Sequence, residues 1–175
     1  MKLACVALPA TLLLAGCMTP LPLGSFARAG PELRPELFFL GETRGRGVIQ
    51  TAGGRPSRTF EVVSQGRRQG ETIRVDQTIR YGDGKVDRRF WTLRQTGPNR
   101  YEGALSDAAG PVRAEVSGNA LRLRYLLRRP AITMEQWLYL QPDGRTLLNE
   151  GTVRAFGIVA ARLSEQIVRA EPAGP

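Results

Sequence analysis

The side chains that most often carry catalysis are scarce in this chain. It has no histidine, and its only lysines are Lys2 and Lys85. Without histidine there can be no Ser-His-Asp triad, no histidine general base and no histidine ligand to zinc. The Gly-x-Ser-x-Gly motif that presents a nucleophilic serine is also missing. These residue types predict a protein that is not an enzyme and that has no metal site and no cofactor.

Carboxylates are the remaining candidates for acid–base chemistry. Asp76, Asp107, Glu135 and Glu150 lie nearest to apolar residues in the sequence. A glycosidase would need two of them to face each other across the substrate. No sequence pattern pairs them, so a carboxylate-based hydrolase is only a remote alternative to a binding role.

Cys17 is the residue with the clearest chemical prediction. It follows Leu14-Ala15-Gly16 at the end of a short apolar run that begins directly after Lys2. This arrangement resembles the lipobox of bacterial lipoprotein signal peptides, in which the cysteine is acylated and becomes the first residue after cleavage. The run is shorter than the roughly 20 apolar residues of a membrane-spanning helix. We therefore expect residues 1–16 to be a signal peptide and Cys17 to be lipidated; an ordinary signal peptide with a chance cysteine is the alternative.

If the chain is exported, its cellular compartment limits its cysteine chemistry and its binding partners. Cys5 would leave with the signal peptide, so the mature chain would have no free thiol and no disulfide. The net charge of +9 would suggest nucleic acid in a cytosolic protein, but for an exported one anionic lipid headgroups or other envelope polyanions are the more natural partners. The alternative, which we favour over a dedicated binding site, is that the arginines only solvate the outer faces of the strands. Met18 follows the cysteine where aspartate would favour retention in the inner membrane. We expect a lipid anchor on the periplasmic face of the outer membrane, with the inner membrane as the alternative.

The rest of the chain divides into a tether, a domain and a tail. Residues 17–36 contain four prolines, which disfavour helix and sheet, and are predicted to form a proline-rich tether. Residues 37–170 are predicted to form one domain, and residues 171–175 a disordered tail. In the domain, side chains alternate between apolar and polar with turn residues at short intervals. The pattern predicts about ten strands, at 45–51, 58–64, 71–81, 86–95, 100–106, 111–117, 120–128, 132–140, 146–153 and 157–168.

Strands joined by short turns predict an all-β fold. The Asp83-Gly84 pair is typical of a tight hairpin turn, and consecutive hairpins make an antiparallel meander. A sheet with one apolar face avoids exposed edges most simply by closing into a barrel of about 8–10 strands. A sandwich of two sheets is the alternative. The last predicted strand, 157–168, could also be a helix.

A closed sheet would place certain side chains in its interior. Gln77 and Gln136 lie in otherwise apolar rows and could orient the polar end of a ligand, while Arg89 and Trp91 share a face and could form a cation–π pair. A purely structural role is the alternative for these four. The predicted apolar lining consists of Ile73, Val75, Ile79, Tyr81, Leu121, Leu123 and Tyr125.

Several short motifs, taken in order, are similar to those of a known family. They are Tyr81-Gly82-Asp83-Gly84, Arg89-Phe90-Trp91, Tyr101-Glu102-Gly103-Ala104, Asp107, Gly110, Gly118-Asn119-Ala120, Tyr125, Trp137, Asn149 and Phe156-Gly157. Together they resemble the bacterial lipoproteins classed as domain of unknown function 3833. The resemblance implies a lipocalin-like barrel and brings no established activity.

The leading hypothesis is a non-enzymatic envelope lipoprotein. Its barrel would bind one small apolar or amphiphilic, lipid-like molecule, because a barrel of this width has room for one small ligand. The alternative is a structural or interaction module that docks to anionic lipid or to an envelope protein. The sequence leaves the ligand, the protein partner and the oligomeric state open.

Overall fold

A computed structural model of the chain describes residues 20–171. A 3-10 helix (Leu23–Phe26) and a single helical turn, α1 (Pro35–Phe38), precede ten strands. Neither helical segment of this described range is long or apolar enough to cross a membrane. The strands are β1 (Gly41–Thr51), β2 (Pro56–Gln69), β3 (Thr72–Tyr81), β4 (Val86–Gly97), β5 (Arg100–Leu105), β6 (Val112–Ser117), β7 (Ala120–Arg128), β8 (Ile132–Leu140), β9 (Thr146–Ala155) and β10 (Ile158–Arg169).

The predicted signal peptide and Cys17 lie outside the described residues. So does most of the predicted tail. Glu171 is described, and its carboxylate accepts a hydrogen bond from the Arg145 guanidinium at 2.9 Å.

The ten strands form one closed barrel, because β1 pairs with β2 on one side and with β10 on the other. Every other strand pairs with its neighbours in the chain, and all pairs are antiparallel. The predictions of an all-β fold, a meander and a closed barrel are confirmed. The segment that could have been a helix is strand β10, whose backbone pairs with β1 and β9 along most of its length.

Alternation along each strand divides the barrel wall into an inner and an outer face. In β3, Ile73, Val75 and Ile79 are buried on the inward row, which also includes Gln77. The alternate residues Arg74, Asp76 and Thr78 face outward. Inward residues of the other strands add to three apolar clusters, so the core is the barrel interior. The arginines of the outer face remain in water, where their charge costs no desolvation.

The connections define two ends of the barrel. The turns after β1, β3, β5, β7 and β9 lie at one end, called here the upper end. The turns after β2, β4, β6 and β8 lie at the other, the lower end, where β1 also begins.

The segment expected to be a tether is packed against the barrel. The Phe26 ring lies 5.4 Å from that of Tyr139 on the outer wall. The chain then crosses the lower end, where the Leu33 N–H donates to the Gly118 carbonyl at 2.8 Å and Phe38 and Phe39 are buried. The structure thus differs from the expected boundary at residue 36. Proline does disfavour long helix and strand here, but the apolar residues beside the prolines gain more by covering the open end of the core than by staying in water.

Gly118 permits this docking. It has φ of +53° in the turn between β6 and β7, and a Cβ there would overlap the carbonyl of Phe26 and lie 2.6 Å from that of Ala29. A residue with a side chain would both strain the turn and push the segment away.

We expect Leu33→Ala to destabilise the barrel by about 2–4 kcal/mol, the usual cost of emptying a buried leucine site. Leu33 is 2% exposed and belongs to the main core cluster. Urea unfolding measures the change. Leu21→Ala is the control, since that side chain is 64% exposed and its loss should change the free energy of unfolding by less than about 0.5 kcal/mol. Equal effects of the two substitutions would show that the segment does not cover the core.

Candidate binding cavity in the barrel

An internal cavity lies above the segment that closes the lower end. Its floor includes Pro35 and Phe39, and the Phe39 ring meets Trp91 edge-on with ring centroids 4.9 Å apart. The cavity has a volume of about 90 Å³, which is room for several waters or a small organic molecule. Most of the wall is apolar: Trp91, Leu93, Leu105, Val112, Leu121, Leu123, Leu138 and Ile167.

A polar arc runs along one side of the interior, across β2, β3 and β4. Ser64, Gln77 and Arg89 are direct cross-strand neighbours. Gln77 donates from Nε2 to the Ser64 hydroxyl at 3.0 Å and accepts from Arg89 Nε at 2.9 Å. The Arg89 guanidinium also lies 3.6 Å from the carboxylate of Asp107, in the turn between β5 and β6. Arg89 is therefore held from two sides, with its charge directed toward the upper end.

A second polar arc faces the lumen from β8, β9 and β10. Asn149 and Glu165 are cross-strand neighbours, and Asn149 donates from Nδ2 to the Glu165 carboxylate at 2.9 Å. Gln136 donates to Asn149 Oδ1 at 3.4 Å. An asparagine that both donates and accepts thus joins the other two side chains into one network.

Glycines on β1 make room for Glu165. Gly47 is its cross-strand neighbour, and Gly45 lies two residues earlier on the same inward row. The Glu165 Oε1 atom occupies the space that a Cβ at Gly45 would need. Burial raises the pKa of the Glu165 carboxyl, because the charged form loses its hydration; the Asn149 hydrogen bond and the Arg89 charge oppose that effect.

Two polar groups on the cavity wall keep free hydrogen-bonding capacity. Within residues 20–171 the Tyr125 hydroxyl donates no hydrogen bond, and Gln136 Oε1 accepts none. Burial is the main cause that raises the pKa of Tyr125 to about 12, so its hydroxyl keeps its proton at neutral pH. Buried polar groups normally have partners, which here could be water or a ligand.

The structure separates the predicted site residues into two groups. Ile73 and Val75 belong to the main core cluster, Ile79 belongs to another cluster with Phe60, and Tyr81 lies beneath the Arg58 guanidinium at 3.6 Å. These four do not line the cavity. The predicted residues that do line it are Gln77, Arg89, Trp91, Leu121, Leu123, Tyr125 and Gln136.

The suggested cation–π pair between Arg89 and Trp91 is not among those formed in the described chain. The reason is competition. Gln77 and Asp107 hold the guanidinium, while the Trp91 ring meets Phe39 edge-on.

Sequence reasoning missed Asn149 and Glu165 as cavity residues. Asn149 alternates with Leu147 and Gly151, a signal that would have placed it inward. Glu165 lies in the segment that was ambiguous between strand and helix, so its direction could not be read.

The four candidate acids do not form a catalytic pair. Asp76 pairs with Arg74, Glu135 with Arg122, and Glu150 accepts from Ser164, all on the outer wall. Asp107 alone approaches the cavity, through Arg89. Among residues 20–171, no three side chains of the His, Cys, Asp or Glu type lie together as a metal site would require.

The sequence profile of a family described as protein of unknown function (DUF3833) matches residues 11–169. The chain belongs to the DUF3833 family. No functionally curated protein matches the sequence.

Similar barrels occur among solved structures. The S-type phycobiliprotein lyase CPES of Guillardia theta is 10% identical and has a TM-score of 0.62, with 87% of this chain and 99% of that one covered. Rv2717c of M. tuberculosis is 21% identical with a TM-score of 0.59, over 80% and 100% of the two chains. A DUF3598 family protein of Nostoc punctiforme is 16% identical with a TM-score of 0.54, over 82% and 53%. At these identities the likeness shows that this DUF3833 member has the lipocalin-like barrel fold.

We expect Glu165→Gln to flatten the pH dependence of stability between pH 5 and pH 8. A carboxyl whose pKa is raised in the folded state stabilises the fold fully below its unfolded pKa, about 4.3, and that contribution is lost as the pH rises through the folded pKa. The wild type should therefore lose free energy of unfolding toward pH 8, and E165Q should lose less. Urea unfolding at several pH values measures both, and no histidine titrates in the window.

Glu150→Gln is the matched control, because this glutamate is exposed on the outer wall of the neighbouring strand. It should leave the slope of stability against pH unchanged. An unchanged slope in E165Q would mean that the carboxyl is not desolvated in the folded protein.

Proposed function

We propose that this DUF3833 protein is a non-enzymatic binding protein whose barrel holds one small amphiphilic, lipid-like molecule. The observation that supports this most is the cavity, which combines an apolar wall with two polar arcs and unused hydrogen-bonding groups. A pocket of that kind can fix the orientation of a ligand with one apolar and one polar end.

The cavity chemistry favours a particular kind of head group. Gln136 Oε1 needs a donor and the Tyr125 hydroxyl needs an acceptor, so a hydroxyl or amide could satisfy both. A full charge would be less favourable, because Arg89 already interacts with Asp107 and Glu165 is driven toward its neutral form. The tail would lie against the apolar side chains Trp91, Leu121 and Leu138.

The ligand would enter from the upper end. The lower end is covered by the segment around Leu33 and Phe39, both buried. At the upper end, the Arg89 and Asp107 side chains are 31% and 48% exposed, so their ion pair bridges the interior and the solvent. Separating this surface-accessible pair costs little, since exposed ion pairs contribute at most about 1 kcal/mol.

Trp91 makes the proposal directly measurable. Only two tryptophans occur, and Trp137 lies on the outer wall, so Trp137→Phe leaves a cavity reporter. We expect octan-1-ol to change Trp91 emission saturably in W137F. Adding Leu123→Phe should weaken binding about tenfold or more, since overfilling a packed interior costs about 1–3 kcal/mol.

The matched control is Leu126→Phe, on the outward side of the same strand, which should leave binding unchanged. Octylamine and octanoate should bind more weakly than octan-1-ol. Native mass spectrometry of the gently purified protein should retain a small bound molecule. If no molecule is retained and Trp91 does not respond to any of the three probes, the binding proposal is wrong.

We also propose that the chain is exported and anchored to the periplasmic face of the outer membrane through acylated Cys17. The support is the lipobox-like Leu14-Ala15-Gly16-Cys17 in the sequence. Two or more acyl chains give stable attachment, whereas one gives only marginal binding.

Cys17→Ser should abolish incorporation of labelled palmitate, block cleavage and remove the protein from the outer-membrane fraction. Cys5→Ser is the control and should be processed and anchored like the wild type. A Cys17→Ser protein that is still cleaved and labelled would contradict the proposed anchor. That result would leave the binding proposal unaffected.

A further inference from the structure

The hairpin between β9 and β10 carries apolar side chains that the fold does not bury. Phe156 is 72% exposed and Ile158 is 74% exposed, more than any other large apolar side chain of the described residues. The hairpin lies at the upper end of the barrel. The Phe156 N–H donates to the Ala131 carbonyl at 3.0 Å, so the neighbouring turn between β7 and β8 holds the hairpin in place.

Folding does not explain the phenylalanine at this position. Phe156 has φ of +51° and is followed by Gly157 at +82°, a tight turn in which Asn-Gly is the favoured pair. A bulky residue in the left-handed region is strained, and the exposed ring gains no burial in return. An unfavourable backbone conformation that presents an unburied aromatic ring indicates a contact outside the folded chain.

Three arginines lie on this hairpin and on the neighbouring strand and turn. Arg128 ends β7, Arg129 lies in the turn that follows it, and Arg154 donates to the Gly157 carbonyl at 3.4 Å. Within residues 20–171, no carboxylate lies within 4.0 Å of these three guanidinium groups. Two acids at the same end are already paired, Asp83 with Arg58 and Asp107 with Arg89.

We propose that this hairpin tip, defined as Arg128, Arg129, Arg154, Phe156 and Ile158, docks on an anionic lipid surface. Phe156 and Ile158 enter the boundary between headgroups and acyl chains, and the arginines bind headgroup phosphates. Exposed apolar residues next to unpaired basic residues are complementary to such a surface in both hydrophobicity and charge. The five residues of the tip are far fewer than the roughly 20–30 that each side of a stable protein interface contributes.

Docking at the tip has a consequence for the cavity. The tip and the exposed Arg89–Asp107 pair lie at the same end of the barrel. The upper end would then face the lipid and the lower end would face away. Docking at the tip does not depend on whether the cavity holds a ligand, so either proposal can be refuted without the other.

Two fluorescent labels at opposite ends test the orientation in the full chain. With Cys5 and Cys17 changed to serine, an environment-sensitive fluorophore is attached at Gly53→Cys in the turn after β1 or at Glu71→Cys in the turn after β2. Gly53 has open space around its Cβ position and Glu71 is exposed, so both labels are tolerated. Both proteins carry the same N-terminal residues, so a difference between them reports how the barrel is oriented.

Vesicles of phosphatidylcholine with 30% phosphatidylglycerol should raise the emission at position 53 several-fold and shift it to the blue. Emission at position 71 should change little. Pure phosphatidylcholine or 0.5 M salt should weaken the response, as should Arg→Gln at positions 128, 129 and 154. Phe156→Asn with Ile158→Thr should abolish most of it, and asparagine tolerates the left-handed turn, so thermal stability should not fall.

The matched control is Val63→Thr with Leu148→Thr, which removes apolar side chains of 42% and 41% exposure from the outer wall. It should leave the response at position 53 intact. The proposal is overturned if position 71 responds as strongly as position 53, or if the hairpin variant responds like the wild type. It is also overturned if neither label responds to anionic vesicles, which would point instead to a protein partner.

Discussion

Closure of the sheet through β1 is the constraint on which the rest of the structure depends. β1 pairs with β2 and β10 at once, which removes both edges of the meander and makes one enclosed interior. The inward row of β1 includes Gly45 and Gly47, so the wall at this seam has little side-chain volume. The space is taken by Phe60 from one neighbouring strand and by Glu165 from the other. The same glycines therefore allow the barrel to close and allow a carboxyl group to lie inside it.

The interior combines two kinds of packing with different costs. The apolar clusters stabilise the barrel by removing their surface from water. The polar arcs lose hydration and are stabilised only as far as they satisfy one another: Gln77 with Arg89, and Asn149 with Glu165. The raised pKa of Glu165 shows that this compensation is incomplete. An interior built only for stability would need none of these groups, which is why the arcs support a binding role.

The two ends of the barrel have opposite character. The lower end is covered by the chain itself, with Leu33 and Phe39 packed over the core. The upper end has only short turns, a half-exposed ion pair and the exposed ring of Phe156. One end of the barrel is therefore sealed by the chain itself, and the other end is open to solvent. The entry route and the lipid contact that we propose are both at the upper end.

The sequence by itself determined the features that depend on neighbouring residues. Alternation from Thr72 to Tyr81 and the Asp83-Gly84 turn predicted strands, hairpins and the inward direction of Gln77, because side-chain direction in a strand follows from period two alone. The tertiary structure decided what depends on pairing between distant segments. Strand register brought Glu165 beside Asn149 and turned an ambiguous segment into β10. Proline content correctly disfavoured long helix and strand before residue 36, but only an open barrel end could decide that this segment packs as a cover.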